Sequence, residues 1–360
     1  MQSIAQRVAQ RTSLETTVRD VQRVLSAVLA NADFWEVVGL ADRPFNQVAE
    51  TLKALEEVGW VSFREGRVFV TDNGLAHCRE QAIAPRVLHR CPSCDGRGIS
   101  LDDFRTALVR FERIAEDRPK PIEEFDQAYV STATTMARVA MMADRGDLCG
   151  RRLLVLGDDD LVGIAAALTG LPSRVTVIEV DERLVEFTAS ASERENLGVE
   201  VAVHDLRDPL PDELISSFDT FLTDPPDTVP GLELFIARGL ASLAKPGGAG
   251  YFGMTLIESS LPKWRELQSI LVGKYKVAIT DIIDDFSTYI NWDYLPGTVR
   301  SDLEPATTQP KRPWYKSSMY RLETLADSVI PEIGSGGSEG LYVGPESLLW
   351  TRGMKNAPGT

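Results

Sequence analysis

Residues 152–167, Arg-Leu-Leu-Val-Leu-Gly-Asp-Asp-Asp-Leu-Val-Gly-Ile-Ala-Ala-Ala, decide the fold class. The order is a buried strand, a tight turn at Gly157 and a helix, which is the first ligand loop of a nucleotide-binding α/β sheet. Phosphate-binding versions of this loop carry glycines whose bare N–H groups meet the anion. This loop instead carries Asp158, Asp159 and Asp160, which repel phosphate and attract cations. The sequence therefore predicts a positively charged ligand.

Acidic residues also follow the next three predicted strands. The second strand ends in Glu179 and Asp181, the third is followed by Asp205, and the fourth by Asp224 and Pro225. Ligands of open α/β sheets bind at the carboxyl ends of the strands, and an acid about 20 residues past the first turn binds ribose hydroxyls there. The position of Asp205 suits the amino group of adenine. The alternative is an ordinary set of turn aspartates, because Asp side chains accept hydrogen bonds from nearby backbone N–H groups.

Composition narrows the function classes. The 360 residues carry a net charge of −15, all of it within residues 91–360. Such an acidic body is a poor general binder of nucleic acid and suits a cationic ligand. No apolar run is long enough to span a membrane, no signal peptide is visible, and four cysteines do not indicate a disulfide framework. These features predict a cytoplasmic protein.

Four regions are predicted along the chain. Residues 1–90 show three helices and a hairpin, a winged-helix-like order, but the helix in the recognition position has one lysine against three glutamates. We therefore expect a dimerisation or lid domain rather than a DNA reader. Residues 91–125 are predicted as a linker and residues 126–324 as the α/β domain. Residues 325–360 turn rich in glycine and serine, which predicts a flexible tail.

A Cys-x-x-Cys turn at Cys91 and Cys94 is half of a zinc knuckle, and a full site needs four ligands. His77, Cys78 and His89 lie nearby in sequence, and a dimer would pair two halves. The alternative is a turn that happens to contain cysteines. The prediction is therefore no bound metal, with Cys91 and Cys94 as the residues to watch.

The sequence also resembles a known family. The Gly-Asp-Asp-Asp loop at 157–160, the Glu-Val-Asp end of the second strand at 179–181, Asp-Pro-Pro at 224–226 and Phe-Asp-Gln at 125–127 resemble branched-chain polyamine synthases over about residues 85–320. The resemblance implies a class I methyltransferase-like (Rossmann-like) sheet and a homodimer. It implies aminopropyl transfer from decarboxylated S-adenosylmethionine to the secondary amine of spermidine. The products would be N4-aminopropylspermidine, N4-bis(aminopropyl)spermidine and methylthioadenosine, with no further cofactor.

The resemblance and the acidic pattern together imply roles for individual residues. Asp159 and Asp160 would hold the acceptor amine and take its proton, in an order that the sequence leaves open. The donor would be bound by Gly157, Asp158, Glu179, Asp181, Asp205 and Gln127. The polyamine would contact Asp126, Tyr129, Asp224, Pro225, Trp292 and Tyr294, with Tyr289 beside the two last-named aromatic residues.

Two other functions fit parts of the pattern. An S-adenosylmethionine-dependent amine methyltransferase shares the fold and the Asp-Pro-Pro turn, but its donor carries a carboxylate that three aspartates beside Gly157 would repel. A winged-helix DNA-binding regulator with a degenerate enzyme domain is disfavoured by the acidic recognition helix and by the intact strand-end acids.

Overall fold

The computed structural model describes residues 1–244, 246–292, 302–330 and 340–348. The first 80 residues form five helices and a hairpin, in the order α1 (Gln2–Thr12), α2 (Val18–Ala30), α3 (Phe34–Ala41), α4 (Phe45–Glu57), β1 (Val61–Arg64), β2 (Arg67–Val70) and α5 (Asp72–Glu80). The three predicted helices are α2, α3 and α4, and the predicted hairpin is β1 and β2. Helix α1 is a further short helix that buries only Ile4, Ala5 and Val8.

The predicted recognition helix is α4, and α1 packs against it. Arg11 pairs with Glu57 at 2.8 Å and with Glu50 at 3.4 Å, so the acidic residues of α4 complement arginines of α1. Most of α4 is buried, including the polar Asn46 and Gln47. The acidic character of this helix therefore has a structural partner within the chain, and the winged-helix identity of residues 1–90 stays a prediction.

The remaining helices and strands form the α/β region. In chain order they are α6 (Arg105–Ala115), α7 (Thr132–Asp144), β3 (Arg152–Leu156), α8 (Val162–Leu168), β4 (Arg174–Glu179), α9 (Glu182–Glu195), β5 (Glu200–Val203), β6 (Thr220–Thr223), α10 (Val229–Ser242), β7 (Ala249–Met254), α11 (Leu261–Ser269), β8 (Val277–Thr288) and β9 (Lys316–Thr324).

One seven-stranded sheet organises this region, in the order β5-β4-β3-β6-β7-β9-β8. The first five strands of that order are parallel, and β9 and β8 add an antiparallel hairpin at one edge. Helices cover both faces, so β3 is apolar throughout its buried length, as a parallel strand between two helical layers must be. The predicted α/β Rossmann-like sheet is confirmed, with its order reversing beside β3 where such sheets bind ligands.

The first 80 residues also share a hydrophobic core with the sheet region. Trp35 of α3 lies against Trp314, with ring centroids 4.6 Å apart, and its indole N–H donates to the carbonyl of Thr308 at 2.7 Å. Tyr289, Trp292 and Tyr315 belong to the same core cluster. This N-terminal core therefore supports described residues between β8 and β9, within 289–292 and 303–315.

Two segments differ from the predicted linker and tail. Helix α6 lies within residues 91–125, and its Phe111 and Ile114 are buried in the core of the sheet. Residues 340–348 are packed rather than free, because Thr228 donates to the carbonyl of Leu341 and Ser260 donates to Glu346. The prediction of a flexible tail is wrong for these nine residues, and residues 331–339 and 349–360 lie outside the described ones. None of the described helices is both long and apolar enough to cross a membrane.

Candidate active site

A cavity of about 130 Å³ opens at the carboxyl ends of β3, β4, β5 and β6. Most of the predicted site residues line it: Gly157, Asp159, Glu179, Asp205, Gln127, Asp126, Asp224, Pro225 and Trp292. Asp158, Asp160, Asp181 and Tyr129 are not in its wall, and Tyr294 lies outside the described residues. The acidic strand ends therefore converge as predicted, but not every aspartate of the pattern reaches the cavity.

The strand ends form one half of the cavity. Gly157 takes the turn with φ +69°, a conformation that favours glycine, and the carboxylate of Glu179 accepts the backbone N–H groups of Asp158, Val180 and Asp181 at 2.7–2.9 Å. Burial raises the pKa of Glu179 although these three donors oppose the shift. Asp205 faces the same space and pairs with Arg207. This half offers acceptors for hydroxyl and amino groups.

Asp158 was predicted to bind the donor, but it does not line the cavity. Its two carboxylate oxygens accept the backbone N–H groups of Val162 at 2.5 Å and Gly163 at 2.8 Å, in the first turn of α8. Helix starts leave such N–H groups without intrahelical partners, and a nearby carboxylate satisfies them. Burial raises the pKa of Asp158 to about 8. The residue therefore caps a helix and is not placed to hold the donor's amine.

Asp160 is also turned away from the cavity and is only 2% exposed. Its oxygens accept the backbone N–H of Val130 at 2.7 Å and the Arg138 guanidinium at 2.8 Å. Arg138, which sequence reasoning missed, extends from α7 and also bonds Asp224 at 2.6 Å. Both oxygens of Asp160 are engaged by buried donors and the residue does not line the cavity, so the predicted contact of Asp160 with the acceptor is not seen.

Asp224 reaches the cavity in a fixed orientation. Its Oδ2 accepts both Arg138 and the Tyr289 hydroxyl, each at 2.6 Å, and its Oδ1 lies where a Cβ on Gly253 would stand, 2.1 Å away. Burial and the charge of Asp224 hold the pKa of Tyr289 well above its usual range, so the phenol stays a donor. We name Asp159, Asp160, Asp224 and Arg138 the Arg138 cluster.

Asp159 is the member of the Arg138 cluster without a side-chain partner. Its carboxylate makes no hydrogen bond or ion pair with any residue that the structure describes, whereas its backbone carbonyl accepts Arg118 at 3.1 Å. Burial, followed by the charges of Asp160, Glu179 and Asp224, raises the pKa of Asp159 well above its usual range. Asp159 is thus a cavity-facing carboxylate with raised basicity.

Three further predicted residues support the site from its edge. Gln127 lines the cavity and donates to Asp181 at 2.9 Å, while Arg183 also bonds Asp181. Burial opposes ionisation of Asp181, but these two donors outweigh it and lower its pKa. The Tyr129 hydroxyl donates to the carbonyl of Pro119, and the Arg118 guanidinium lies 3.8 Å from its ring centre. Asp181 and Tyr129 are therefore structural neighbours of the cavity rather than part of its wall.

A second group of carboxylates occupies the opposite wall. It consists of Asp126, Asp227 and Glu258, and Tyr315 donates to Glu258 at 2.7 Å and approaches Asp227 at 3.4 Å. We name these four residues the Tyr315 cluster. Burial and mutual repulsion raise the pKa of Asp227 to about 8 and that of Asp126 well above its usual range. The predicted Asp126 is thus joined by two acids that the strand-end pattern did not single out.

Signals for the missed residues differ. Asp227 closes the Asp-Pro-Pro-Asp turn after β6, and Glu258 follows the end of β7, so both extend the strand-end pattern by one step. Arg138 stands alone in an apolar helix between Ala137 and Val139, and a single buried arginine signals a paired carboxylate without saying which one.

The Cys-x-x-Cys turn lies apart from the cavity. Cys91 is exposed and Cys94 half-buried, and the Ser93 hydroxyl lies 3.1 Å from the Cys91 sulfur. Hydrogen bonds from Ser93 lower the pKa of Cys91 to about 7. Within the described ranges, neither sulfur belongs to a group of three side chains that could hold a metal ion.

Comparisons with known proteins give the family. The model of the branched-chain polyamine synthase A C-terminal domain matches residues 106–348. The N(4)-bis(aminopropyl)spermidine synthase of Thermococcus kodakarensis is 44% identical over 331 residues, which cover 91% of this chain and 94% of that protein. Its Thermus thermophilus counterpart is 41% identical and covers 89% and 92%.

A solved structure extends the likeness to three dimensions. The crystal structure of the branched-chain polyamine synthase from Thermus thermophilus, in complex with N4-aminopropylspermidine and 5'-methylthioadenosine, has a TM-score of 0.87 and 38% identity. It covers 96% of this chain and 97% of its own. With a family match over more than half of its length and full-length relatives above 40% identity, this chain belongs to the branched-chain polyamine synthase family.

Proposed function

We propose that this protein is an aminopropyltransferase that uses decarboxylated S-adenosylmethionine to aminopropylate the secondary amine of spermidine. The products are N4-aminopropylspermidine, then N4-bis(aminopropyl)spermidine, with 5'-methylthioadenosine released at each step. The names of the relatives and the ligands of the Thermus thermophilus complex support this substrate class.

The composition of the cavity wall carries the proposal. Among the described residues the wall holds seven carboxylates: Asp126, Asp159, Glu179, Asp205, Asp224, Asp227 and Glu258. Arg207 is the one arginine in this wall, and it already pairs with Asp205. Opposite charges stabilise one another strongly in a partly buried site, so the wall suits a sulfonium donor and a polyamine together. The carboxylate of ordinary S-adenosylmethionine would be repelled.

We assign the donor to one end of the cavity and the polyamine to the other. Gly157, Glu179 and Asp205 follow β3, β4 and β5 and would bind the adenosyl group, with Glu179 at the ribose hydroxyls and Asp205 at adenine. The Tyr315 cluster would hold a primary ammonium of the polyamine. Trp292, Tyr289 and Tyr315 would pack on the methylene stem and ammonium groups. Transfer then takes place between the two ends, beside Asp159.

Asp159 is the proposed proton acceptor. The secondary amine attacks the methylene carbon next to the sulfonium; a C–N bond forms, the C–S bond breaks, and its electron pair leaves on the neutral sulfur of methylthioadenosine. In the first addition the new ammonium gives its proton to the Asp159 carboxylate, which returns it to solvent. The tertiary amine so formed attacks in the second addition, and its quaternary ammonium product carries no proton to transfer. A raised pKa makes Asp159 a better base than an ordinary carboxylate. Holding both reactants in line supplies much of the remaining rate.

Transfer is tested by incubating the protein with spermidine and either decarboxylated or ordinary S-adenosylmethionine, followed by mass spectrometry. We expect one and two aminopropyl additions with the decarboxylated donor and no product with the ordinary one. A methylated amine, or no transfer from the decarboxylated donor, contradicts the proposal. Boiled protein and the Asp159→Asn variant serve as the negative controls.

The assembly and location of the protein are part of the same proposal. The four cysteines Cys78, Cys91, Cys94 and Cys149 are unpaired, in keeping with a reducing cytoplasm. We expect a homodimer, whose mass in light scattering would be twice the 39.7 kDa of one chain. A single-chain mass at micromolar concentration contradicts that expectation.

A further inference from the structure

Arg138 is a fully buried charge next to the proposed reaction centre, although it does not line the cavity. It is 1% exposed and extends from α7. Its guanidinium donates to Asp160 at 2.8 Å, to Asp224 at 2.6 Å and to the Ser287 hydroxyl at 3.0 and 3.2 Å. A buried cation is costly unless it is fully paired. These contacts pair it with carboxylates that follow two different strands.

The pairing separates the three carboxylates of the Arg138 cluster. Asp160 is bound by Arg138 and the Val130 N–H, and Asp224 by Arg138 and the Tyr289 hydroxyl. Asp159 has no such donor among the described residues. The charged and titratable groups that act on it are Asp160, Glu179, Asp224, Arg118 and Tyr129. Of the three aspartates, only Asp159 is both open to the cavity and without a side-chain donor among the described residues.

We propose that Arg138 is a positioning residue that makes Asp159 the sole proton acceptor, by holding the side chains of Asp160 and Asp224 in fixed ion pairs. This inference rests on the proposed aminopropyl transfer. Arginine suits the role because its planar fork stays charged and reaches two carboxylates at once, whereas a lysine ammonium is a single point charge. Without this clamp, three neighbouring carboxyl groups would compete for protons and share the titration.

The experiment compares Arg138→Gln and Arg138→Lys with a control, Arg321→Lys. Arg321 is another buried arginine that pairs with Asp147, outside the cavity wall, so it reports the general cost of altering such a residue. The measurements are kcat and KM as functions of pH, thermal stability and binding of 5'-methylthioadenosine by calorimetry.

We expect kcat to fall about 100-fold in Arg138→Gln and about tenfold in Arg138→Lys, with KM within about threefold of wild type. Loss of the positive charge raises the pKa of nearby carboxyl groups, so the acid limb of the kcat profile should move up by about one pH unit. Arg321→Lys should keep both kcat and the acid limb. Should Arg138→Gln fail to fold, Arg138→Lys carries the test alone.

A second readout does not depend on turnover. Carboxyl ¹³C signals of labelled aspartates, assigned with Asp159→Asn, Asp160→Asn and Asp224→Asn, should show Asp160 and Asp224 titrating at higher pH once Arg138 is replaced. Unchanged titration of these two residues overturns the inference even if transfer is confirmed. So does a variant that loses kcat but keeps the wild-type acid limb, as a purely structural arginine would. Absence of transfer in wild type would refute the proposed function and leave this titration to decide the role of Arg138.

Discussion

The Arg138 cluster and the Tyr315 cluster are both buried groups of carboxylates on one cavity, yet only one of them contains its own cation. Arg138 is paired with two aspartates at 2.8 and 2.6 Å. No described arginine or lysine forms an ion pair with Asp126, Asp227 or Glu258; the Lys263 ammonium instead donates to the carbonyls of Asp227 and Glu258. Two of the three aspartates of the first cluster are therefore already paired in the free protein, whereas we expect a cationic ligand to complete the second cluster.

The largest effect is expected from removing the proposed base, Asp159, from the Arg138 cluster. Asp159→Asn should lower kcat by about 10³-fold, because positioned general bases contribute about 10²–10⁴-fold. Steady-state transfer to spermidine measures the loss, and Asp219→Asn, in an ion pair with Arg152 at the other end of β3, should keep wild-type turnover. Near-normal kcat in Asp159→Asn would remove the proton acceptor from the mechanism.

Loss of one carboxylate should change the free energy of unfolding in opposite directions in the two clusters. Asp160→Asn leaves Arg138 short of one buried partner, so the free energy of unfolding should fall by about 3 kcal/mol. Asp126→Asn relieves repulsion within the Tyr315 cluster and should raise that free energy by about 1 kcal/mol at pH 8 without ligand. Urea unfolding measures both, with Asp219→Asn as a half-exposed pair expected to change by less than about 1 kcal/mol. Two losses of equal size would show that both clusters are structural.

Acceptor binding should depend on the Tyr315 cluster. Asp227→Asn removes one carboxylate from the wall that faces the polyamine, so KM for spermidine should rise about tenfold while kcat changes less. The exposed Asp212→Asn serves as the control for a lost negative charge. A KM that moves equally in both variants would indicate long-range attraction by the acidic body instead of a specific ammonium site.

The pH dependence of stability gives the smallest effect. The folded pKa of Asp227 is raised to about 8, above its usual value near 4, so the folded state binds its proton more tightly than the unfolded state does. This contribution to stability is present below about pH 4 and is lost as the pH rises towards 8. The melting temperature without ligand should therefore fall by a few degrees between pH 6 and pH 9. Spermidine should raise the melting temperature more at pH 9 than at pH 6. A melting temperature that is independent of pH in both wild type and Asp227→Asn would contradict the repulsion within the Tyr315 cluster.

The sequence predicted the sheet and its acidic edge because both depend on local patterns. Apolar runs mark buried parallel strands, and the ends of such strands meet at one edge. Glu179, Asp205 and Asp224 were found in this way. The sequence did not predict which of the three consecutive aspartates reaches the cavity. In the turn into α8, Asp158 contacts the start of the helix, Asp159 lines the cavity and Asp160 pairs with Arg138. The rotation of the chain through that turn is not written in the residue types.

Long-range pairing was equally invisible. Arg138 lies 22 residues before Asp160 and 86 before Asp224, and no spacing rule connects them. The packed residues 340–348 were misjudged for a related reason. The Gly/Ser-rich composition at 334–338 favours mobility, whereas Glu346 is held by Ser260, the residue before α11. Tertiary partners decide such segments, and their identity appears only in the folded chain.

The shared core of the first 80 residues and the β8–β9 connection has a consequence for how acceptor choice can change. Trp35 packs on Trp314, which lies edge to face with Tyr315 in the cavity wall. A substitution in α3 can thus reshape the aromatic wall without altering any residue that a polyamine contacts. Variants selected for longer or bulkier amines should accordingly carry changes in the first 80 residues, where a search confined to the cavity would never look.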